Sequence, residues 1–444
     1  MTARQRLLLV LLTLALFSVV GLLGWSIWTA THNIQRVSPL PTPTPAPTTL
    51  PSPTVTPTAR PFFDPSEAGA IAREVGEARE MLPRWETPLT LVDTYDLSVV
   101  LYRRTQTRPS FPLSDKQTLD ALGLWPHGEV ASDPVAEARD TAALYFPEEQ
   151  QIYLRRDWSG SEELARTLVA YGYARTLADQ YGDLPRLCAE ATSLDRRLTL
   201  AALAEGEAFI TLCRYAGVAP DSPEATALLD MIATGTLPHW KIESSVLERL
   251  TRLPLELGHD FGSALYGEEG LTALDEALRR PPRATAQILH PQNYATWRAN
   301  TALEPLEVEL GKGWELTLTE TVGEALLGFT LSEWSQGLIT PTVAGWNDDL
   351  LQVWEEPEGA RVVLWQTAWK LTRQAAVCEE QLSGLLPRRV HGYVQEATPP
   401  EGLPHGEWWA GRWGAAFLYR RSNRVWLVWG DDVATVTAVA AALP

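Results

Sequence analysis

The sequence predicts an α+β protein. Its expected parts are an N-terminal membrane helix, a Pro/Thr-rich linker, a mostly helical core with a small sheet, and a C-terminal region of hairpins and helices. Three observations predict it. An almost unbroken apolar run without a charge covers 7–30, Pro, Thr, Ser and Ala dominate 37–61, and from Asp64 helical and strand periods take over. With 444 residues and 45% hydrophobic content, there is material for two folded domains with real cores. The formal net charge of −18 argues against a phosphate-backbone partner, so nucleic acid is excluded as a ligand.

At about 1.5 Å per residue, a helix over 7–30 crosses a hydrocarbon layer of ~30 Å. Arg4 and Arg6 precede it, and the run exceeds the ~7–15 residue core of a cleaved signal. A retained signal-anchor is therefore expected, with cleavage near Ala30 as the alternative. The positive flank places residues 1–6 in the cytoplasm and sends the rest outside. The expectation is a single-pass protein of the cell membrane with a C-terminal ectodomain. The linker, 31–62, includes Pro-Thr-Pro-Thr-Pro, which packs no core and forms a semi-extended stalk of about 3 Å per residue.

Two folded parts are expected after the linker, 63–300 and 301–444. The first opens with a helix over 71–81 that exposes Glu and Arg. The span 90–103 reads as extended chain, with Leu-Thr-Leu-Val and Leu-Ser-Val-Val-Leu-Tyr on either side of Asp-Thr-Tyr-Asp. Gln151 to Arg155 reads as a strand. A helix follows from Ser161, with Glu162 and Glu163 in the turn that the helix dipole prefers for acids. A second helix is expected over 193–215.

Spacings of four and three put Leu164, Leu168, Tyr171, Arg175 and Ala178 on one face of the first of these helices. On the second, Leu198, Ala201, Ala202, Glu205, Ala208, Phe209 and Leu212 form an apolar face. Glu205 is its one carboxylate and needs a partner, because an unpaired buried charge is very costly.

The stretch 168–184, followed by Glu205-Gly-Glu-Ala208, resembles a family of membrane-anchored bacterial and archaeal zinc-peptidase-like proteins of the gluzincin type. The first helix of that family carries His-Glu-x-x-His-Ala-Leu-x-Asp-Gln-x-x-Asp-Leu. In this sequence Tyr171 stands at the first His, Gly172 at the catalytic Glu and Arg175 at the second His. Asp179, Gln180 and Asp183 keep the remainder, and Glu205 matches the third metal ligand. Downstream, Gln287-Ile-Leu-His-Pro-Gln-Asn-Tyr294, Gly323-Glu324, Ala344-Gly-Trp-Asn-Asp-Asp349 and the Trp365 to Trp369 stretch are similar to later elements of the family. Ala286 replaces a family Glu. The resemblance implies a zincin-like fold for 63–300.

A hydrolytic zinc site needs about three N, O or S ligands, a bound water and a base beside it. Only Glu205 remains of that set, because Arg donates no lone pair, Tyr is an uncommon ligand and Gly172 supplies no base. No metal, cofactor or catalytic residue is expected. If the helices pack as the resemblance implies, Arg175 and Glu205 meet in an ion pair where the metal would sit, with Tyr171 on the same carboxylate. The alternative sends Arg175 to solvent and pairs Glu205 elsewhere.

Asp179 and Asp183 could hold a cation, but capping or pairing with Arg186 is the favoured reading. His290 before Pro291 reads as a turn residue. Glu207 shares a stripe with Leu200, Leu203 and Ile210, without an assigned role. Cys188 and Cys213 could pair in an oxidising compartment, although buried free thiols are favoured.

Two strand-strand-helix units are expected near the C-terminus, strands 350–354 and 361–365 with a helix over 375–385, and strands 416–420 and 424–429 with a helix over 433–443. Their helices are expected on one face of the sheet. Nine tryptophans there, Trp346, Trp354, Trp365, Trp369, Trp408, Trp409, Trp413, Trp426 and Trp429, could line a groove, with core packing favoured. The functional expectation is a non-catalytic binding or scaffold protein with an unidentified protein, peptide or glycan ligand. The alternatives are a peptidase with a non-standard site around Glu205 and an anchored peptide- or carbohydrate-binding protein.

Overall fold

Each of the two central helices begins where a serine can cap it. Ser161 accepts from the N–H of Leu164 at 3.1 Å, and Ser193 from that of Arg196 at 3.1 Å, which satisfies an otherwise orphaned donor. In the computed structural model, the described residues are 63–444 without 108–112, 127–132, 237–244, 297–302, 338–340, 390–392, 397–398 and 412–413. The expected cytoplasmic segment, membrane helix and linker, together with Trp413, lie outside them. Among the described residues no helix is long and apolar enough to cross a membrane.

The fold is α+β, as the sequence predicts. The elements begin with α1 (Ala68–Arg79), β1 (Leu89–Val92), α2 (Thr94–Thr107), α3 (Leu113–Ala121), α4 (Pro134–Asp140), β2 (Ala143–Phe146) and β3 (Gln151–Arg155). The strands form a three-stranded sheet in the order β1-β3-β2, with β1 parallel and β2 antiparallel to β3. Then come α5 (Glu162–Gly182), α6 (Leu184–Glu190), α7 (Leu194–Ala216), α8 (Pro223–Thr236), α9 (Ser245–Glu269), α10 (Leu271–Arg279) and α11 (Thr285–Leu289).

Two expectations in this half need correction. Only 89–92 of the extended span is strand, and 94–107 is the helix α2. Asp93 is the cause: its carboxylate accepts from the N–H of Asp96 at 2.9 Å, and its carbonyl receives Leu97 N–H at 2.9 Å. Leu97, Val100 and Leu101 then turn inward at helical spacing. The opening helix also does not expose all its arginines, because Arg79 is 1% exposed.

The second half is a seven-stranded sheet, antiparallel throughout, in the order β4-β5-β6-β10-β9-β8-β7. Its strands are β4 (Glu315–Glu320), β5 (Trp346–Glu355), β6 (Arg361–Trp369), β7 (Tyr393–Glu396), β8 (Glu407–Gly411), β9 (Gly414–Arg421) and β10 (Arg424–Gly430). Helix α12 (Glu324–Trp334) follows β4, α13 (Thr372–Arg389) follows β6, and α14 (Val433–Ala441) closes the chain. Both expected strand-strand-helix units form, but their helices lie on opposite faces. Val363 and Trp365 of β6 pack with Cys378 and Leu382 of α13, whereas Val362 and Leu364 pack with Val436 and Val439 of α14. Alternation of side chains along a strand presents both faces for burial, and both are covered.

The helical half and the sheet share a core. Leu122, Leu194, Leu247 and Leu250 from the helices pack with Leu318, Leu351 and Trp365 of the sheet. Trp346, Trp354, Trp365, Trp369, Trp408, Trp409 and Trp426 are all buried, so these rings are core rather than groove.

Candidate functional site

Helices α5 and α7 lie side by side, and the faces read from the sequence meet at a cleft of about 760 Å³. Leu168, Tyr171, Gly172 and Arg175 of α5 line one wall, and Leu194, Leu198, Ala201 and Glu205 of α7 line another. Ile152 of β3, Tyr145 of β2, and Leu250 and Pro254 of α9 complete much of the apolar lining.

Arg175 and Glu205 form an ion pair through Nη1 and Oε1, and the phenol of Tyr171 donates to the other carboxylate oxygen. Both charged side chains are about one-sixth exposed, at 17% and 16%. Burial pushes the Glu205 carboxyl up, to about 8. The Arg175 Nε is enclosed without a hydrogen-bond partner.

Gly172 lies against β3. A Cβ there would come within 3.1 Å of Ile152 Cδ1 and 3.2 Å of Cγ1, so the space into which a side chain would emerge is occupied by isoleucine. This close approach explains a mid-helix glycine that otherwise costs ~1 kcal/mol relative to alanine.

Asp179, one helical turn beyond Arg175, is buried and hydrogen-bonded to the phenol of Tyr145, and its Oδ2 has no partner. Burial pushes its carboxyl up to about 6, while Arg175 and the Tyr145 hydrogen bond pull it down. Burial and the neighbouring Asp179 raise the Tyr145 phenol. Asp183 is elsewhere: it caps α5 in a left-handed conformation, φ 53°, and pairs with Arg186. The two aspartates therefore do not share a cation site.

His290 ends α11, and its Nε2 lies 2.8 Å from Oε1 of Glu324, which is 1% exposed. It is outside the cleft. The downstream motifs instead converge on the start of α7. Asp195 accepts from Thr285 N at 3.0 Å, and the space beside Gly323 is filled by Asp195, 1.9 Å from where a Cβ would stand. Asp349 accepts from Gly323 N at 2.9 Å and from the indole of Trp365 at 2.7 Å. Burial raises both aspartates to about 7, with their hydrogen bonds opposing it. These groups tie the helical half to the sheet.

Glu207, unassigned in the sequence, is 1% exposed and paired with the equally buried Arg79, which also reaches Asp275 at 2.6 Å. Sequence periodicity gave no sign of Arg79, which sits at the end of an otherwise amphipathic helix. Gly258 and Gly262 of α9 were also missed, although their Gly-x-x-x-Gly spacing is visible. A Cβ on Gly206 would lie 2.2 Å from Gly258 O, and one on Gly262 would lie 2.9 Å from Gly206 O, so α7 and α9 cross backbone to backbone beside Glu205. No disulfide joins Cys188, Cys213 or Cys378.

The residues at the expected ligand positions do not fit zinc. One carboxylate is available and both its oxygens are held, a phenol is a poor ligand, and a guanidinium repels a cation. Among the described residues, no group of three or more His, Cys, Asp or Glu could hold a metal ion. In comparisons with known proteins, no family model matches the chain, and no curated protein or solved structure matches it significantly.

Proposed function

We propose that this is a membrane-anchored, extracytoplasmic pseudo-metallopeptidase whose cleft binds a ligand without hydrolysing it. The supporting observation is the Arg175–Glu205 pair closed by Tyr171: three side chains at expected ligand positions satisfy one another instead of a metal. A zincin-like ancestry rests on the sequence resemblance alone. The cleft favours binding over a purely structural role, since about 760 Å³ is within the ~300–1,000 Å³ typical of small-ligand sites. Burial of seven of these tryptophans removes support from a carbohydrate groove on the sheet.

Metal analysis and peptide hydrolysis by the purified full-length chain test this reading. Less than stoichiometric zinc and no turnover are expected. Stoichiometric zinc that disappears in Glu205→Ala, together with peptide turnover, would overturn it. Membrane fractionation and external protease treatment of intact cells test the anchor; a full-length species in the soluble fraction would overturn that part.

A further inference from the structure

We propose that the exposed face of α2 is a self-association surface, on which a second copy of this chain docks antiparallel about a two-fold axis through Val99. The inference is independent of what occupies the cleft.

Helix α2 turns Leu97, Ser98, Val100 and Leu101 inward, and its three apolar members pack with Ala138 of α4 and with Leu144 and Phe146 of β2. The opposite face is not polar, as the solvent side of an amphipathic helix ordinarily is. It carries Tyr95, Val99 and Tyr102 at i, i+4 and i+7, and they are 75%, 40% and 58% exposed. Among the described residues no other helix exposes more than one large apolar side chain. Single exposed apolar residues need no explanation, whereas a stripe along two turns is the pattern of a helix–helix contact. Arg104, on the other side of the same helix, lines the cleft, so the stripe and the cleft use different sides of α2.

The charges beside the stripe select the occupant. Asp96 and Arg103 are seven residues apart and so stand on the same edge of it, with side chains 56% and 61% exposed. Turning a second α2 end for end about Val99 sets Tyr95 against Tyr102 of the other copy and Asp96 against its Arg103, each contact being made twice. Like edges face each other in an antiparallel pair, so this face is complementary to itself in charge as well as in shape. Within one copy Asp96 lies 4.0 Å from Arg156, and Arg103 lies 3.9 Å from Glu149, both at the outer limit of an ion pair. A helix of another protein would have to carry this charge order separately, whereas a second copy has it by construction. The edge pairs fix register and orientation more than they add affinity. Covering the three side chains and the fringe of the helix removes on the order of 400 Å² per copy, so the dimer is weak and concentration-dependent.

The test places a cysteine on the axis. Purified full-length Val99→Cys, treated with a short thiol-to-thiol cross-linker at rising protein concentration, should form covalent dimer at least about tenfold faster than Val433→Cys, a similarly exposed site on α14. The wild-type chain corrects for its native cysteines. In the Val99→Cys background, Asp96→Arg or Arg103→Asp alone should slow the reaction about tenfold, because each creates two like-charge contacts per dimer. The two reversals together should return the rate to within about twofold, which also rules out misfolding as the cause of the single losses. Sedimentation equilibrium of the wild-type chain should show a mass rising from one copy toward two with concentration. Cross-linking no faster than at Val433→Cys, single reversals without effect, no recovery in the double reversal, or a mass of one copy throughout would each overturn the proposal.

Discussion

At the scale of single residues, Glu205 is the group on which the cleft turns. Removing Arg175 leaves a carboxylate in an enclosed site with only Tyr171 to donate to it. Arg175→Met is expected to destabilise the fold by about 3 kcal/mol, near the lower end for a broken buried pair because both side chains keep some solvent contact. Arg175→Met combined with Glu205→Gln should recover at least about half of that loss, since no charge is then stranded. Urea midpoints of the two variants check this, and additive losses would show that the pair is not coupled. Gly172 makes a second residue-level point. Placing a base there with Gly172→Glu must displace Ile152, so neither zinc affinity nor peptide turnover is expected to appear.

Among the elements, the two glycine contacts divide sharply. Gly172→Ala pushes against a flexible isoleucine at about 3 Å and gains helix propensity, so its effect should be within about 1 kcal/mol of zero. Gly206→Ala drives a methyl into the Gly258 carbonyl and should cost at least about 3 kcal/mol, since two backbones must separate. Thermal unfolding of the two variants tests the contrast. The same elements show what a sequence discloses. Helices α5 and α7 were legible because each has a serine cap and a continuous inward face, and the partners Tyr171, Arg175 and Glu205 follow from those faces. Helix α2 was hidden because Val99, Val100 and Tyr102 favour strands, while the deciding signal was the single cap at Asp93. Arg79 and the two-sided sheet depend on tertiary partners, which local pattern does not encode.

For the whole molecule, buried acids set a pH response. Asp195 and Asp349 have carboxyls raised to about 7 and Asp179 to about 6, from ordinary values of 3.8. The folded chain therefore retains protons that the unfolded chain has released. The stability these groups contribute is complete below about pH 4 and is lost as pH rises to about 7. Their expected contribution is a higher urea midpoint at about pH 5 than at about pH 8. Asp195→Asn should flatten the difference even where it lowers stability through the Thr285 contacts. A midpoint rising across this interval, with the same slope in the variant, would contradict the assignment.

The crossing of α7 and α9 gives the cleft unequal walls. On the Glu205 side, main chain rests on main chain and leaves no side chain to rearrange. The Tyr171 side rests on β3 through the isoleucine at 152, whose rotamers can change. Any breathing that admits a guest therefore belongs to α5, and α7 is the anvil against which it closes. Amide exchange in the folded chain should therefore be faster along α5 than at the α7–α9 crossing.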